Sequence, residues 1–302
     1  MRAAQFSAFG GPEVLSIVDR PQPVPGAGDV LVAPRAAALQ PFDIKARAGL
    51  MPLPPGSSLP LVTGNEFAGV IAALGAGVTD WSVGDAVVGR RSFGAAAEYL
   101  VVPATDIARK PGNVPFAEAA TYGGTAQTAD AAIEILPLGP RAVLVVFGAA
   151  GGVGAFATQL ARHTGATVIG VASSAHAGYL RELGAIPVAS GPGFADRIAA
   201  AAPGPVTAVL DTVGGEALDY AIALGIDRAN IVSLADRRGR ELGVRWPQGK
   251  RDGQRLQKLL DLAAAGRLKT LVRATFPLTE IVAAHRALET GHGRGKVVVT
   301  IG

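Results

Sequence analysis

The sequence predicts an α/β protein in two parts: a region of short strands at the N-terminal end and a doubly wound parallel sheet of alternating strands and helices after it. Three observations predict this. A glycine-rich stretch, RAVLVVFGAAGGVGAFATQLAR at 141–162, lies just before a second β-branched run, ATVIGVASS. Near Gly124 the pattern changes from closely punctuated strands to alternating strand and helix. The 302 residues suffice for two domains, each with its own core.

The first 120 residues are short apolar runs broken by Gly and Pro, at 14–39, 67–75, 84–90 and 95–103. Strands this short and evenly spaced predict a compact barrel-like β domain. The glycine-rich stretch poses a choice, because the twenty residues between Arg141 and Arg162 carry no charge and are long enough for a membrane span. Four glycines at 148–154 argue against one helix, since each costs about 1 kcal/mol relative to alanine. VLVVF reads as a buried strand and AFATQLAR as a helix, so the stretch opens a βαβ unit. Strands follow at 142–147, 167–172, 186–189, 207–211, 230–234 and 241–246, with helical stretches between most of them. AHAGYLRELGA at 175–185 is amphipathic and stops at Gly184. RLQKLLDLAAAGRL at 255–268 and LTEIVAAHRALETG at 278–291 are helical, and GKVVVTIG closes the chain as a strand.

Composition narrows the function. Hydrophobic residues make up 49% and charged residues 17%, so there is much to bury and no sign of a disordered tail. The net charge of +4 is scattered, and the basic runs at 236–240 and 249–255 are interrupted and lack aromatics, which speaks against nucleic acid and for solvated loops. A mild positive field favours an anionic cofactor. There is no cysteine, which excludes disulfides, thiolate metal sites and a cysteine nucleophile. The four histidines fall at no metal-binding helical spacing. Without a signal-peptide pattern or a span, the expectation is a cytoplasmic protein with no membrane partner.

The glycine loop is the strongest functional motif. GxGxxG falls on Ala149, Gly151 and Gly154, with alanine first. Gly151 lets the backbone approach a pyrophosphate, Gly154 lets the helix pack on the strand, and the amides of Gly152, Val153 and Gly154 face the phosphates. Its setting after a strand and before a helix predicts a Rossmann dinucleotide site, against the alternative of a purely structural turn. An NAD site places a carboxylate about 20 residues on, at the end of the second strand. Here Ser173 and Ser174 occupy that place and no carboxylate occurs before Glu182, which favours NADP(H). The same serines are also suited to cap the next helix.

With these motifs in hand, the chain resembles the zinc-free branch of the medium-chain dehydrogenase/reductases, the quinone oxidoreductase or zeta-crystallin-like proteins. The resemblance rests on FGGPEVL at 9–15, GNEFAGV at 64–70, GDAVVG at 84–89, AAEYLVVP at 96–103, GAAGGVG at 148–154, LDTVGG at 210–215 and HGRGKVVV at 292–299, in the family's order. It implies a Rossmann doubly wound parallel sheet (124–266) inserted in a GroES-like β-barrel catalytic domain (1–123), to which the chain returns (267–302). It also implies that Gln40, Asn65 and Thr121 stand where zinc-dependent relatives carry their ligands, so no metal is expected. Thr125, then Thr212, Val213 and Gly214, then Ser233, Leu234 and Ala235 would line the nicotinamide half of the cofactor. Packing at the strand ends is the plain alternative for each of them. The family usually has Asn where Gln40 stands, and Lys45 replaces a Tyr found in some members. Lys45 with Arg47 reads as a structural pair, while Gln40 and Tyr122 are the catalytic candidates, Tyr122 as a proton donor that a buried hydrogen bond would instead occupy.

Without a Lewis acid, hydride passes most readily to a carbon already electrophilic. The expected function is NADPH-dependent reduction of a quinone or α,β-unsaturated carbonyl. The alternatives are a pathway enoyl reductase for an acyl or polyketide substrate, its pocket shaped by 49–60, and a non-catalytic NADP-binding protein. A homodimer is expected through the last strand of the Rossmann sheet, ELGVRW at 241–246, whose alternating Leu242, Val244 and Trp246 call for cover.

Overall fold

The structure is a computed structural model and describes residues 1–302 except Pro55, Gln248, Gly249 and His292. Those four belong to the 49–60 segment, the 249–255 basic run and its approach, and the 292–299 motif, and lie outside the described residues. The chain divides into two compact units, Met1–Gln127 with Arg251–Gly302 and Thr128–Lys250.

The first unit begins with β1 (Arg2–Phe6), β2 (Leu15–Asp19), β3 (Asp29–Ala38), α1 (Pro41–Arg47), β4 (Leu61–Val62), β5 (Glu66–Leu74), β6 (Ala86–Arg90), β7 (Leu100–Pro103), β8 (Ile107–Arg109) and α2 (Phe116–Ala119). The helix α3 (Thr125–Glu134) carries the chain over the unit boundary. The second unit runs β9 (Val143–Phe147), α4 (Gly152–His163), β10 (Thr167–Ala172), α5 (Ala177–Glu182), β11 (Ile186–Ala189), α6 (Phe194–Ala201), β12 (Ala208–Asp211), α7 (Glu216–Ala223), β13 (Ile231–Ser233) and α8 (Arg238–Glu241). The return comprises α9 (Gly253–Ala264), β14 (Val272–Pro277), α10 (Ile281–Glu289) and β15 (Lys296–Thr300).

In the first unit the strands order as β14-β15-β3-β5-β6-β8, with β7 also on β3, beside a smaller sheet β2-β1-β4. Register decides what meets: Ala38 of β3 opposes Val298 on one side and Glu66 on the other. The start of β5 and the start of β15 are thereby gathered around the end of β3. The core beneath holds Phe6, Val32, Leu39, Phe67, Ile71 and Val299.

The second unit is the doubly wound sheet, ordered β11-β10-β9-β12-β13 with every pairing parallel. The central β9, VLVVF, is buried at all its positions, as a strand covered on both faces must be. Phe147 at its end stacks edge-on against Phe194 and Tyr220, with ring centroids 5.5 and 5.7 Å away. Each such pair contributes about 0.5–1.5 kcal/mol beyond its buried area and anchors the strand just before the glycine loop.

Two expectations are corrected. The stretch 241–246 is not a strand: α8 ends at Glu241, Gly243 turns at φ +72°, and the Val244 N–H bonds to the Gly239 carbonyl. Only Arg245 reaches the sheet, in a single bridge to Val232, so the edge expected to pair with a second subunit is one residue long. The alternation had a different cause, since Val244 is buried in this unit's core while Leu242 and Trp246 are exposed around a turn. Second, the boundaries expected at 123/124 and 266/267 fall instead at 127/128 and 250/251. The helix α9 belongs to the first unit, where Gln257 Oε1 accepts from the Arg109 N–H and the Ala264 carbonyl accepts from Asn113 Nδ2. Amphipathic periodicity shows that a helix is packed, not which domain it packs on.

Candidate functional site

In the second unit the expected cofactor residues all leave one edge of the sheet. Phe147 is level with Val171 on β10 and with Asp211 on β12, and Asp211 with Ser233 on β13. The carboxyl ends of four parallel strands therefore present the loops 148–154, 173–174, 212–214 and 234–235 together, with β9 and β12 flanking the point where strand order reverses. Gly148 adopts φ +72°, and its N–H and that of Ala149 bond to the Val171 carbonyl, folding the loop over β10. A methyl group on Gly154 would lie 2.2 Å from the Gly148 oxygen, so only glycine lets α4 start this close to the loop. Gly151 caps α4 without a side-chain hydrogen bond, and Gly151, Gly152 and Val153 are half-buried. The first-turn amides of the helix lack intrahelical partners and point to where an anion would sit.

At the end of β10, Ser173 and Ser174 are exposed, and Ser173 makes no side-chain cap with the turn it starts. After β12, the buried Asp211 organises the edge. Its Oδ1 accepts from the N–H groups of Val213 and Gly214 at 2.8 and 2.7 Å, and its Oδ2 from the Ser233 hydroxyl at 2.7 Å. Thr212 donates its hydroxyl to the Phe147 carbonyl, while the Val213 side chain is exposed. Leu234 and Ala235 are half-buried.

The first unit holds a separate, buried polar cluster. Glu66 is fully buried; its Oε2 accepts from the N–H groups of Gly124 and Thr125, both at 2.7 Å. Its Oε1 accepts from the Thr125 hydroxyl at 2.7 Å and pairs with Lys296 Nζ at 2.8 Å. Lys296 also donates to the Leu39 carbonyl and to Thr125 Oγ1. Beside it, Asp43 accepts from the N–H groups of Gln40 and Gly64, and burial pushes its carboxyl up to about 7 against the lowering by those bonds and by Lys296. Three side chains converge on Gly124: a methyl group there would meet Gln40 Nε2 at 2.7 Å, Asn65 Oδ1 at 3.1 Å and Glu66 Oε2 at 3.2 Å. Gln40 Nε2 is buried and makes no hydrogen bond among the described residues.

Of the remaining candidates, Tyr122 donates to the Leu268 carbonyl at 2.6 Å, and burial raises its phenol further from neutrality. That is the structural hydrogen bond weighed against a proton-donor role. Thr121 likewise gives its hydroxyl to the Glu118 carbonyl and meets Thr270 Oγ1 at 3.1 Å. Gln40, Asn65 and Thr121 thus offer two amides and an engaged hydroxyl, and no group of three His, Cys, Asp or Glu fit to hold a metal occurs among the described residues. Arg47 is buried and pairs with Glu289, its NH1 lying 3.5 Å from His285 Nδ1, whereas Lys45 is exposed. Sequence reasoning did not select Asp43, Glu66, Asp211 or Lys296. The signal for Glu66 and Lys296 was present in the GNEFAG and GKVVV motifs, but their contact depends on register across β3.

Comparisons with known proteins agree with this architecture. Residues 26–112 match the alcohol dehydrogenase GroES-like domain family and residues 183–299 the zinc-binding dehydrogenase family. The NADPH-dependent alkenal/one oxidoreductase of Arabidopsis thaliana chloroplasts is 32% identical over 99% of this chain and 79% of its own length. The solved quinone oxidoreductase of Coxiella burnetii superposes with a TM-score of 0.87 at 31% identity, covering 100% of this chain and 99% of that one. A mycobacterial protein solved in complex with NADPH gives 0.85 at 29% identity, covering 99% and 100%. A GroES-like unit with an inserted Rossmann unit defines a nicotinamide-dependent oxidoreductase of the two-domain kind. The chain belongs to the medium-chain dehydrogenase/reductase family, on its quinone oxidoreductase side. No helix among the described residues is long and apolar enough to cross a membrane.

Proposed function

We propose that the protein is a reductase that uses NADPH and no metal to deliver hydride to a quinone or an α,β-unsaturated carbonyl. The observation that carries this is the donor set at Gln40, Asn65 and Thr121. Two amides and a hydroxyl bonded to a backbone carbonyl do not make the N/S tetrahedron that zinc takes. Lacking a Lewis acid, the site has no means of turning an alcohol into an alkoxide, which favours acceptors that are already electrophilic.

NADPH, when bound, would supply the hydride. The amides of Gly152, Val153 and Gly154 at the start of α4 would hold its pyrophosphate, and the exposed hydroxyls of Ser173 and Ser174 would receive its 2′-phosphate where an NAD site would carry a carboxylate. In the first unit, Glu66 clamps the backbone of Gly124 and Thr125 while Lys296 neutralises it, which fixes the turn against which Gln40 lies. Gln40 Nε2 is a buried donor without a hydrogen-bond partner among the described residues, suited to an oxygen that gains charge as a carbonyl becomes an enolate. The test is NADPH oxidation measured with quinones, enals, enones and simple aldehydes, with and without EDTA. Reduction of the conjugated acceptors unaffected by EDTA is expected. Activity lost on chelation and restored by zinc would refute the proposal.

A further inference from the structure

Two arginines of the first unit are held in a way the proposed chemistry does not use. Arg90 ends β6, and register sets it opposite Glu66 on β5. Directly paired residues share a face of the sheet. Glu66 does not neutralise Arg90, because its oxygens are occupied by Gly124, Thr125 and Lys296. Arg90 Nε is buried without a hydrogen-bond partner among the described residues.

Arg251 arrives at the same place from the other end of the unit. It lies two residues before Gly253, the first residue of α9, and a methyl group on Gly253 would meet the Ile107 oxygen at 2.3 Å and the Thr105 oxygen at 2.8 Å. Ile107 opposes Gly89, the neighbour of Arg90 on β6. The close approach of α9 to β8 therefore brings Arg251 to the strand end that Arg90 occupies. Their charges are felt mutually: burial lowers Arg251 first, and the like charges of Arg90 and Arg255 lower it further. Burial also lowers Arg90, against the opposing pull of Glu66 and Asp106.

The nearby carboxylates are otherwise engaged. Asp252 Oδ1 caps α9 through the Arg255 N–H, and Asp106 Oδ1 accepts from the Thr105 hydroxyl. Neither Arg90 nor Arg251 has an ion pair within 4 Å among the described residues. Two half-buried guanidinium groups brought to one strand end, with no direct ion pair among the described residues, are costly unless an anion joins them.

We propose that Arg90 and Arg251 form a site for a carboxylate borne by the substrate, which makes an acidic enone or quinone the preferred substrate class. The guanidinium fork fits a carboxylate through two parallel hydrogen bonds. Its place suits a short substrate: Arg90 shares a strand face with Glu66, and Glu66 Oε2 and Gln40 Nε2 converge on the same Gly124. One molecule would present its carbonyl to Gln40 and its carboxylate to the arginines. This deepens, and for the identity of the reacting group rests on, the reductase reading above.

The experiment measures binding rather than turnover, so the two readings fail separately. The saturated keto acid 4-oxopentanoate and its methyl ester are titrated calorimetrically into the protein saturated with NADP⁺. The acid should bind at least about tenfold more tightly than the ester. Arg90→Gln and Arg251→Gln should each abolish that preference while leaving ester binding unchanged and without lowering the melting temperature, and Arg251→Lys should keep part of it. Equal binding of acid and ester, no binding of the acid at millimolar concentration, or a preference surviving both substitutions would overturn the site. Displacement of the acid by inorganic phosphate at far lower concentration would overturn its assignment to a carboxylate. Failure to oxidise NADPH with any neutral enone would instead remove the reductase reading and leave the binding result standing.

Discussion

Lys296→Met tests whether the buried pair with Glu66 holds the first unit's polar cluster together. Glu66 is 0% exposed and Lys296 4%, so water cannot replace the lost partner. The variant leaves a carboxylate with hydrogen bonds from Gly124 and Thr125 but without its direct ion-pair partner. Stranding one member of a buried pair costs about 3–5 kcal/mol. At roughly 2–4 °C per kcal/mol for a domain of this size, the melting temperature should fall by about 6–20 °C. Glu66→Gln strands the ammonium instead and should cost a similar amount. The double variant removes both charges and should lose less than the sum of the singles, by roughly 1–3 kcal/mol. The assay is calorimetric melting at pH 8, repeated at high salt, which should hardly matter for a pair so far from solvent. Losses below about 1 kcal/mol in the singles, or strict additivity in the double, would refute the reasoning.

Three further outcomes follow from single residues. Asp43, raised by burial to about 7 from its ordinary 3.8, keeps in the folded state a proton that the unfolded chain releases. Stability should therefore fall by about 1.4 kcal/mol per unit as pH rises from about 4 to 7 and level off above, and Asp43→Asn should flatten this slope in urea titrations. Gly154→Val forces a branched side chain against the Gly148 oxygen, already 2.2 Å from a single methyl group, and should cost about 1–3 kcal/mol or more along with nucleotide affinity, measured by denaturation and fluorescence titration. Ser173→Asp should erase an NADPH-over-NADH preference of about tenfold or more; equal affinities in the unsubstituted protein would refute the assignment.

The second unit was legible because its signals are local. VLVVF, the glycines after it and the helix formers beyond are contiguous, and parallel strands buried on both faces read as plain apolar runs. The failure at 241–246 is local as well. Three apolar residues at alternate positions are too few to separate a strand from a turn that buries Val244 and exposes Leu242 and Trp246, and Gly243 was the residue that pointed to the turn. The first unit's cluster was not legible for a different reason. Glu66, Thr125 and Lys296 lie in three distant parts of the chain; the pairing of β3 with both β5 and β15 brings Glu66 and Lys296 together, and Thr125 joins them from the start of α3.

Residue type alone also overstates which groups a ligand can use. Thr125, Thr212 and Ser233 were expected from the resemblance to line the nicotinamide half, yet each hydroxyl is donated inside the protein, to Glu66, Phe147 and Asp211 respectively. The N–H groups of Val213 and Gly214 are taken by Asp211 as well. Along that part of the edge the Val213 side chain is exposed. Ser173 and Ser174 show the opposite pattern, being exposed, and Gly152 and Val153 at the start of α4 are half-buried, with no side-chain cap on either turn. Phosphate recognition depends on unspent donors, which glycine spacing and helix starts reveal in sequence. Recognition of the flat, largely apolar end of a ligand depends on shape, which appears only once the internal hydrogen bonds have been assigned.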